Sequence, residues 1–174
     1  MRRSDPLANP EPLIRSVYEY VAYRIGPGPD AQDVTSETLE RAIRGRDTYD
    51  PAKGPPIAWL IGIARRCLSD ALAARPTLYG EPPETAADAD MEEESLRHLT
   101  LSAALASLDE REQELIALRY GADLTARRIA QILGVRTNTV EVALHRALVR
   151  LRERLDAADP AKPSTSSDAK TIAI

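Results

Sequence analysis

An all-α fold, built as two small helical domains on either side of a flexible acidic linker, is what the sequence predicts. Three observations lead there. Aromatic residues make up only 4% of the chain and Phe is absent, so the aromatic and β-branched runs that strands favour are scarce. Apolar residues instead recur every three or four positions within segments bounded by Gly and Pro. Between two groups of such segments lies an acidic, proline-bearing stretch with almost no large apolar side chain, which cannot bury enough surface to order itself. The expected organisation is a first domain over 10–76, a linker over 77–99, a second domain over 100–156 and a disordered tail over 157–174.

In the first domain, Ile14, Val17, Tyr18, Val21 and Ile25 predict a helix that stops at the breaker cluster Gly26-Pro27-Gly28-Pro29. Asp30 is expected to cap a second helix with Val34, Thr38, Ala42 and Ile43 inward, closing near Gly45. After a polar loop from Asp47 to Gly54, Pro55 and Pro56 suit the first turn of a third helix, where missing amide protons cost little. Its stripe is Ile57, Leu60, Ile61, Ala64, Leu68, Ala71 and Leu72.

In the second domain a short helix carries Leu101, Ala104, Leu105 and Leu108. Asp109, with Glu112 three residues on, predicts a capping box that opens a helix through Leu115, Ile116 and Leu118, broken at Gly121. Thr125 caps a helix containing Ile129, Ile132 and Leu133, and Gly134-Val135 make a tight turn. The last helix is expected from Thr137 to Leu155, with Val140, Leu144, Ala147, Leu148, Leu151 and Leu155 inward.

The net charge of −4 hides a segregation that matters more, because salt limits each patch to about 8 Å of reach. From Glu81 to Thr100 seven carboxylates face one base, Arg97, whereas from Arg127 to Arg154 seven arginines face only Glu141 and Glu153. A single cysteine, Cys67, excludes an internal disulfide and a CxxC metal site, and two histidines, His98 and His145, cannot build a histidine metal cluster. There is no glycine-rich phosphate loop and no nucleophile elbow, and carboxylates in a floppy linker cannot hold catalytic geometry. The expectation is a protein that is not an enzyme and uses no cofactor. No apolar run is long enough to span a membrane, and the N-terminus lacks a signal-peptide core, so a cytoplasmic location is expected.

Thr125 to Arg146 has the layout of a helix-turn-helix. With Val140 and Leu144 buried, the opposite face of the second helix carries Asn138, Glu141, Val142, His145 and Arg146, and its start adds Arg136, Thr137 and Thr139. Such a helix fits the major groove, where Arg and Asn bond base edges and Glu accepts from cytosine. Arg127 and Arg128 are placed for phosphates, which set affinity and position. The bland alternative is a three-helix bundle with a solvated basic face. In the first domain Trp59, Arg66 and Asp70 share one side of the third helix at spacings of seven and four, with Arg65 adjacent. An aromatic and arginine surface can stack unpaired bases and grip a single strand. Equally, Trp59 can be partly core and the arginines merely solvated.

Taken together, Asp30 to Val34, Glu37 to Ala42, Ala58 to Arg66 and Asp70 resemble sigma region two of the extracytoplasmic-function (ECF) group of bacterial RNA polymerase sigma factors. Leu108 to Leu155, with Arg111, Leu118, Ile129-Ala130, Leu133-Gly134-Val135, Thr139-Val140 and His145-Arg146-Ala147, is similar to sigma region four. The resemblance implies a sigma factor directing promoter recognition and transcription initiation. It places Asp33, Ser36, Glu37 and Arg41 where the family docks on the clamp helices of the largest polymerase subunit, with region four meeting the flap of the second-largest. It places Tyr49, Lys53, Trp59, Arg65, Arg66 and Ser69 where the family holds single-stranded minus-ten DNA. It places Arg127, Arg128, Arg136, Thr137, Asn138, Thr139, Glu141, Val142, His145 and Arg146 at the duplex minus-35 element. Ser36, Arg66, Arg136 and Glu141 depart from the residues common in the family, so a promoter sequence does not follow. Core RNA polymerase and promoter DNA are the implied partners, and anti-sigma proteins often cover both domains in this family. The competing function is a polymerase-independent helix-turn-helix regulator.

Overall fold

The computed structural model describes residues 5–74 and 99–158. The expected linker, apart from Leu99, and the expected tail beyond Ala158 lie outside the described residues. The described regular structure is helical throughout.

Helix α1 (Pro10–Ile25) starts with Pro10 in its first turn and ends at Gly26, whose N–H donates to Ala22 O at 2.9 Å. It buries Val17, Tyr20, Val21 and Arg24. The expected inward Ile14 is instead 40% exposed, because the buried stripe is rotated toward Tyr20. Helix α2 (Pro29–Arg44) begins two residues earlier than expected: Gly28 is the cap and Pro29 opens the helix. Asp30 therefore lies inside the first turn, where its charge complements the helix dipole and does not cap. Val34, Thr38 and Ala42 are buried as expected, but Ile43 is 59% exposed, adjoining Ala42 on the solvent side. Thr35 and Thr38 turn their hydroxyls back to Ala31 O and Val34 O, both at 2.7 Å, so their buried oxygens are satisfied within the helix. A short 3-10 turn (Arg46–Thr48) leads into the loop before helix α3 (Pro56–Ala74), which buries Leu60, Ile61, Ile63, Ala64, Cys67 and Leu68.

In the second lobe a helical segment over 99–106 (α4) is followed by helix α5 (Glu110–Ile116). The capping box forms: Asp109 Oδ1 accepts from Glu112 N–H at 2.8 Å, and Glu112 Oε2 accepts from Asp109 N–H at 3.3 Å. Gln113, nearly fully buried, donates through Nε2 to Leu108 O at 3.0 Å and so ties α4 to α5. Beyond Ile116 the chain widens into a π-helical segment (Ala117–Gly121), with Ala122 N–H donating to Ala117 O five residues back at 2.9 Å. Helices α6 (Ala126–Leu133) and α7 (Thr137–Ala158) complete the lobe, the last running a turn further than the sequence suggested.

The two lobes do not stand apart. One apolar cluster runs from Val17, Tyr20 and Val21 of α1 and Leu60 and Ile61 of α3 into Leu115, Leu118, Ile129, Val140 and Leu144 of the second lobe. A smaller cluster of Ala104, Leu105, Leu108, Ile116, Ala147 and Leu151 belongs to the second lobe alone. The seam between lobes is made chiefly by α1 against the π-helical segment. It is so close that a Cβ on Gly121 would lie 2.7 Å from Tyr20 Cα, which only glycine avoids.

Candidate nucleic-acid interface

The helix-turn-helix is built from its caps inward. Thr125 accepts from Arg128 N–H at 3.3 Å to open α6, and Gly134 closes it in the left-handed region at φ 68°, where a side chain would be strained. Val135 N–H returns to Ala130 O at 3.0 Å, which fixes the turn. Ile129, Ala130, Val140, Leu144 and Ala147 are buried, so α7 is locked by one face. Its opposite face leaves Asn138, Thr139, Glu141, Val142, His145 and Arg146 exposed, with Arg136 exposed just ahead and Thr137 half-buried. The structure thus brings the proposed duplex-reading side chains onto one surface. Arg127 is exposed beside them, while Arg128 is half-buried and donates to Gln131 Oε1 at 2.7 Å and to Lys53 O of the first lobe at 3.1 Å.

The proposed single-strand surface is divided. Tyr49 is buried, donates to Gly54 O at 3.0 Å and packs on Trp59 with ring centroids 5.6 Å apart and planes tilted by 58°. This pair braces the 49–54 loop, and half-buried Trp59 retains only part of its surface for a base. Lys53, Arg66 and Ser69 are exposed, Arg66 donating to Gly62 O at 3.1 Å within its own helix. Arg65 points elsewhere, its Nε ion-paired with Glu114 Oε1 of α5 at 2.8 Å.

Glu114 is the hub that sequence reasoning missed. Its carboxylate also accepts from Tyr20 OH, at 3.0 and 3.2 Å to the two oxygens, and from Arg24. The Arg24 side chain is 6% exposed and Glu114 12%, so this ion pair is buried. Burial, then the Glu114 charge, pushes the Tyr20 phenol well above its ordinary value. A buried pair of this kind is close to neutral overall, but removing one partner strands a buried charge at a cost of about 3–5 kcal/mol. The sequence held one signal: Arg24 follows Val17, Tyr20 and Val21 at helical spacing, on the buried stripe. Nothing in the pattern of α5 distinguished Glu114 from a solvated carboxylate.

On α2, Asp33, Ser36 and Arg41 are exposed and Glu37 half-buried on the outer side of the helix. Arg41 donates to Glu37 Oε1 at 2.6 Å and to Asp70 Oδ2 of α3 at 3.0 Å. These bonds, Glu37 first, raise its basicity and hold this surface in register with α3. Among the described residues no group of three or more His, Cys, Asp or Glu could hold a metal ion, and no helix is long and apolar enough to cross a membrane.

Among the described residues a helix-turn-helix packs against a second helical lobe, a layout that suits the class of DNA-binding proteins. Residues 11–76 match the family model for Sigma-70 region 2 and residues 104–153 that for Sigma-70, region 4. The chain is 31% identical over 154 residues to the ECF RNA polymerase sigma factor SigD of Mycobacterium tuberculosis, covering 82% of this chain and 73% of that protein. It is 30% identical over 148 residues to the ECF RNA polymerase sigma factor BldN of Streptomyces coelicolor, where it spans only 56% of the relative's length against 80% of its own. The fold resembles that of CnrH in complex with the cytosolic domain of CnrY (TM-score 0.60, 24% identity, 86% of this chain and 83% of that one). It also resembles the sigma factor RpoE bound to the anti-sigma factor NepR from Bartonella quintana (TM-score 0.64, 19% identity, 84% and 94%). The chain belongs to the ECF group of RNA polymerase sigma factors.

Proposed function

We infer that the chain works as a sigma factor: it binds core RNA polymerase, brings it to promoters and starts transcription there, in the cytoplasm. The observation that carries this reading is the split of α7, apolar residues locked inward by the turn at Gly134 and a mostly polar face left outward, with Asn138, Glu141, His145 and Arg146 around Val142. That face fits the major groove of a minus-35 element, where Arg136, Asn138, Glu141 and Arg146 address base edges and Arg127 the phosphates. The first lobe, with Lys53, Trp59, Arg65, Arg66 and Ser69, takes the minus-ten element as a single strand, and Asp33, Ser36, Glu37 and Arg41 of α2 meet the clamp helices of the largest subunit. The flap of the second-largest subunit receives the second lobe. The lobe boundaries suited to these roles are 10–76 and 100–156.

The mechanism is one of binding differences. Contacts to phosphate position the complex, contacts to base edges select it, and holding a flipped base offsets an unstacking cost of a few kcal/mol. Bond-making stays with the polymerase; this chain contributes no catalytic group. Anti-sigma proteins are the regulators this reading admits, in keeping with the RpoE complex noted above.

The test is pull-down of core polymerase by the purified chain, followed by promoter-dependent transcription. Replacing both Arg136 and Arg146 with Ala should abolish promoter selection and leave polymerase capture intact. Tight, selective duplex binding by the chain alone, with no capture of polymerase, would point to a free-standing regulator instead.

A further inference from the structure

Val142 is 43% exposed in the middle of the outward face of α7. A lone exposed valine is ordinary on a protein surface, so what counts is where this one stands. Asn138 lies one helical turn before it and Arg146 one turn after, both exposed, so the three form a line along the face assigned to duplex DNA. The helix cannot roll to hide it. Val140 and Leu144 on either side are 1% and 8% exposed, and Ala147 is fully buried. A valine in a helix also holds nearly one χ1 rotamer, so its two methyl groups are presented in a fixed place and lose little freedom on contact.

The edges of base pairs limit what such a side chain can meet. In the major groove guanine shows two acceptors, cytosine an amino donor and adenine an acceptor with a donor, whereas thymine adds an apolar 5-methyl group beside its acceptor. Valine neither donates nor accepts. Pressed against a polar edge it would strip water and return no hydrogen bond, which is unfavourable. Against a methyl group it removes apolar surface from water on both sides. The neighbouring exposed carboxylate, Glu141, narrows the choice further. It is repelled by phosphates and by acceptor edges and accepts only from an exocyclic amino group, so this part of the face does not suit a run of guanines.

We propose that Val142 reads the 5-methyl group of a pyrimidine in the major groove. The favoured duplex then carries thymine at that step, and 5-methylcytosine makes the same methyl contact. The proposal rests on the sigma-factor reading and names the feature of the duplex that this chain selects.

Holoenzyme assembled from the full chain and core polymerase first enriches duplexes from a randomised pool. In the enriched upstream element each thymine is then exchanged for uracil, which removes only the methyl group. At one position the exchange should weaken binding about fourfold, the worth of one methyl group taken out of water. At that same position 5-methylcytosine paired with guanine should bind more tightly than cytosine by a similar factor. Val142→Ala should bring both ratios close to one, with its helical content unchanged as the control for folding. A Val142→Ala chain that keeps both ratios overturns the proposal, and so does an enriched duplex with no uracil-sensitive position. Capture of polymerase with no enriched upstream sequence removes base reading by α7, and this proposal with it. If polymerase is not captured, the sigma-factor reading falls, and the same exchanges in duplexes enriched by the free chain decide this proposal.

Discussion

Tyr20 shows how far one side chain can serve two lobes. It is fully buried in α1, abuts Gly121 through its backbone and donates its phenol proton to Glu114. Because burial and Glu114 raise its folded pKa above the unfolded value of about 10, the proton is held more tightly when folded. Its contribution is complete below pH 10 and is lost as pH rises from there, at up to about 1.4 kcal/mol per unit for one proton. Tyr20→Phe should flatten that alkaline decline in denaturant titrations at pH 9, 10 and 11. Tyr23, raised by burial, then Glu19 and Tyr120, should leave a residual slope. Equal slopes for the two proteins would disprove the assignment. The sequence did not single out Tyr20, because Tyr18 and Ile14 complete an equally regular stripe; only the second lobe's approach decides between them.

At the level of elements, the pattern was most legible where local chemistry determines the outcome. The Asp109 and Glu112 box, the Thr125 cap and the Gly134 turn all formed as expected, since each is settled by residues within a few positions. Asp109→Ala should cost about 1 kcal/mol, the usual worth of an N-cap, and be seen as a lower denaturant midpoint with an unchanged slope. A loss within a few tenths of a kcal/mol would mean that the Gln113 bond to Leu108 O carries the junction instead. Where proline competed with a capping side chain, local reading failed: Pro29 took the opening position and left Asp30 inside α2. Of the proposed binding residues, those on α7 share one face as periodicity requires, whereas Tyr49 and Arg65 are diverted by partners distant in sequence or by their own loop.

For the whole molecule, two helical lobes were foreseeable from periodicity and composition, but their shared apolar cluster was not. Periodicity records that a face is apolar, not which neighbour covers it. The joint cluster implies that heating melts both lobes together, and calorimetry should show one transition whose calorimetric and van't Hoff enthalpies agree. Two resolved peaks would mean the lobes are energetically independent despite their contact. The same seam bears on dissection of the protein. A fragment ending near Ala74 keeps Val17, Tyr20 and Val21 but loses what lies over them, and a fragment starting near Leu99 keeps Leu115 and Leu118 uncovered in turn. Each half made alone would present a greasy scar to solvent, and its tendency to clump should be cured by mixing it with the other half.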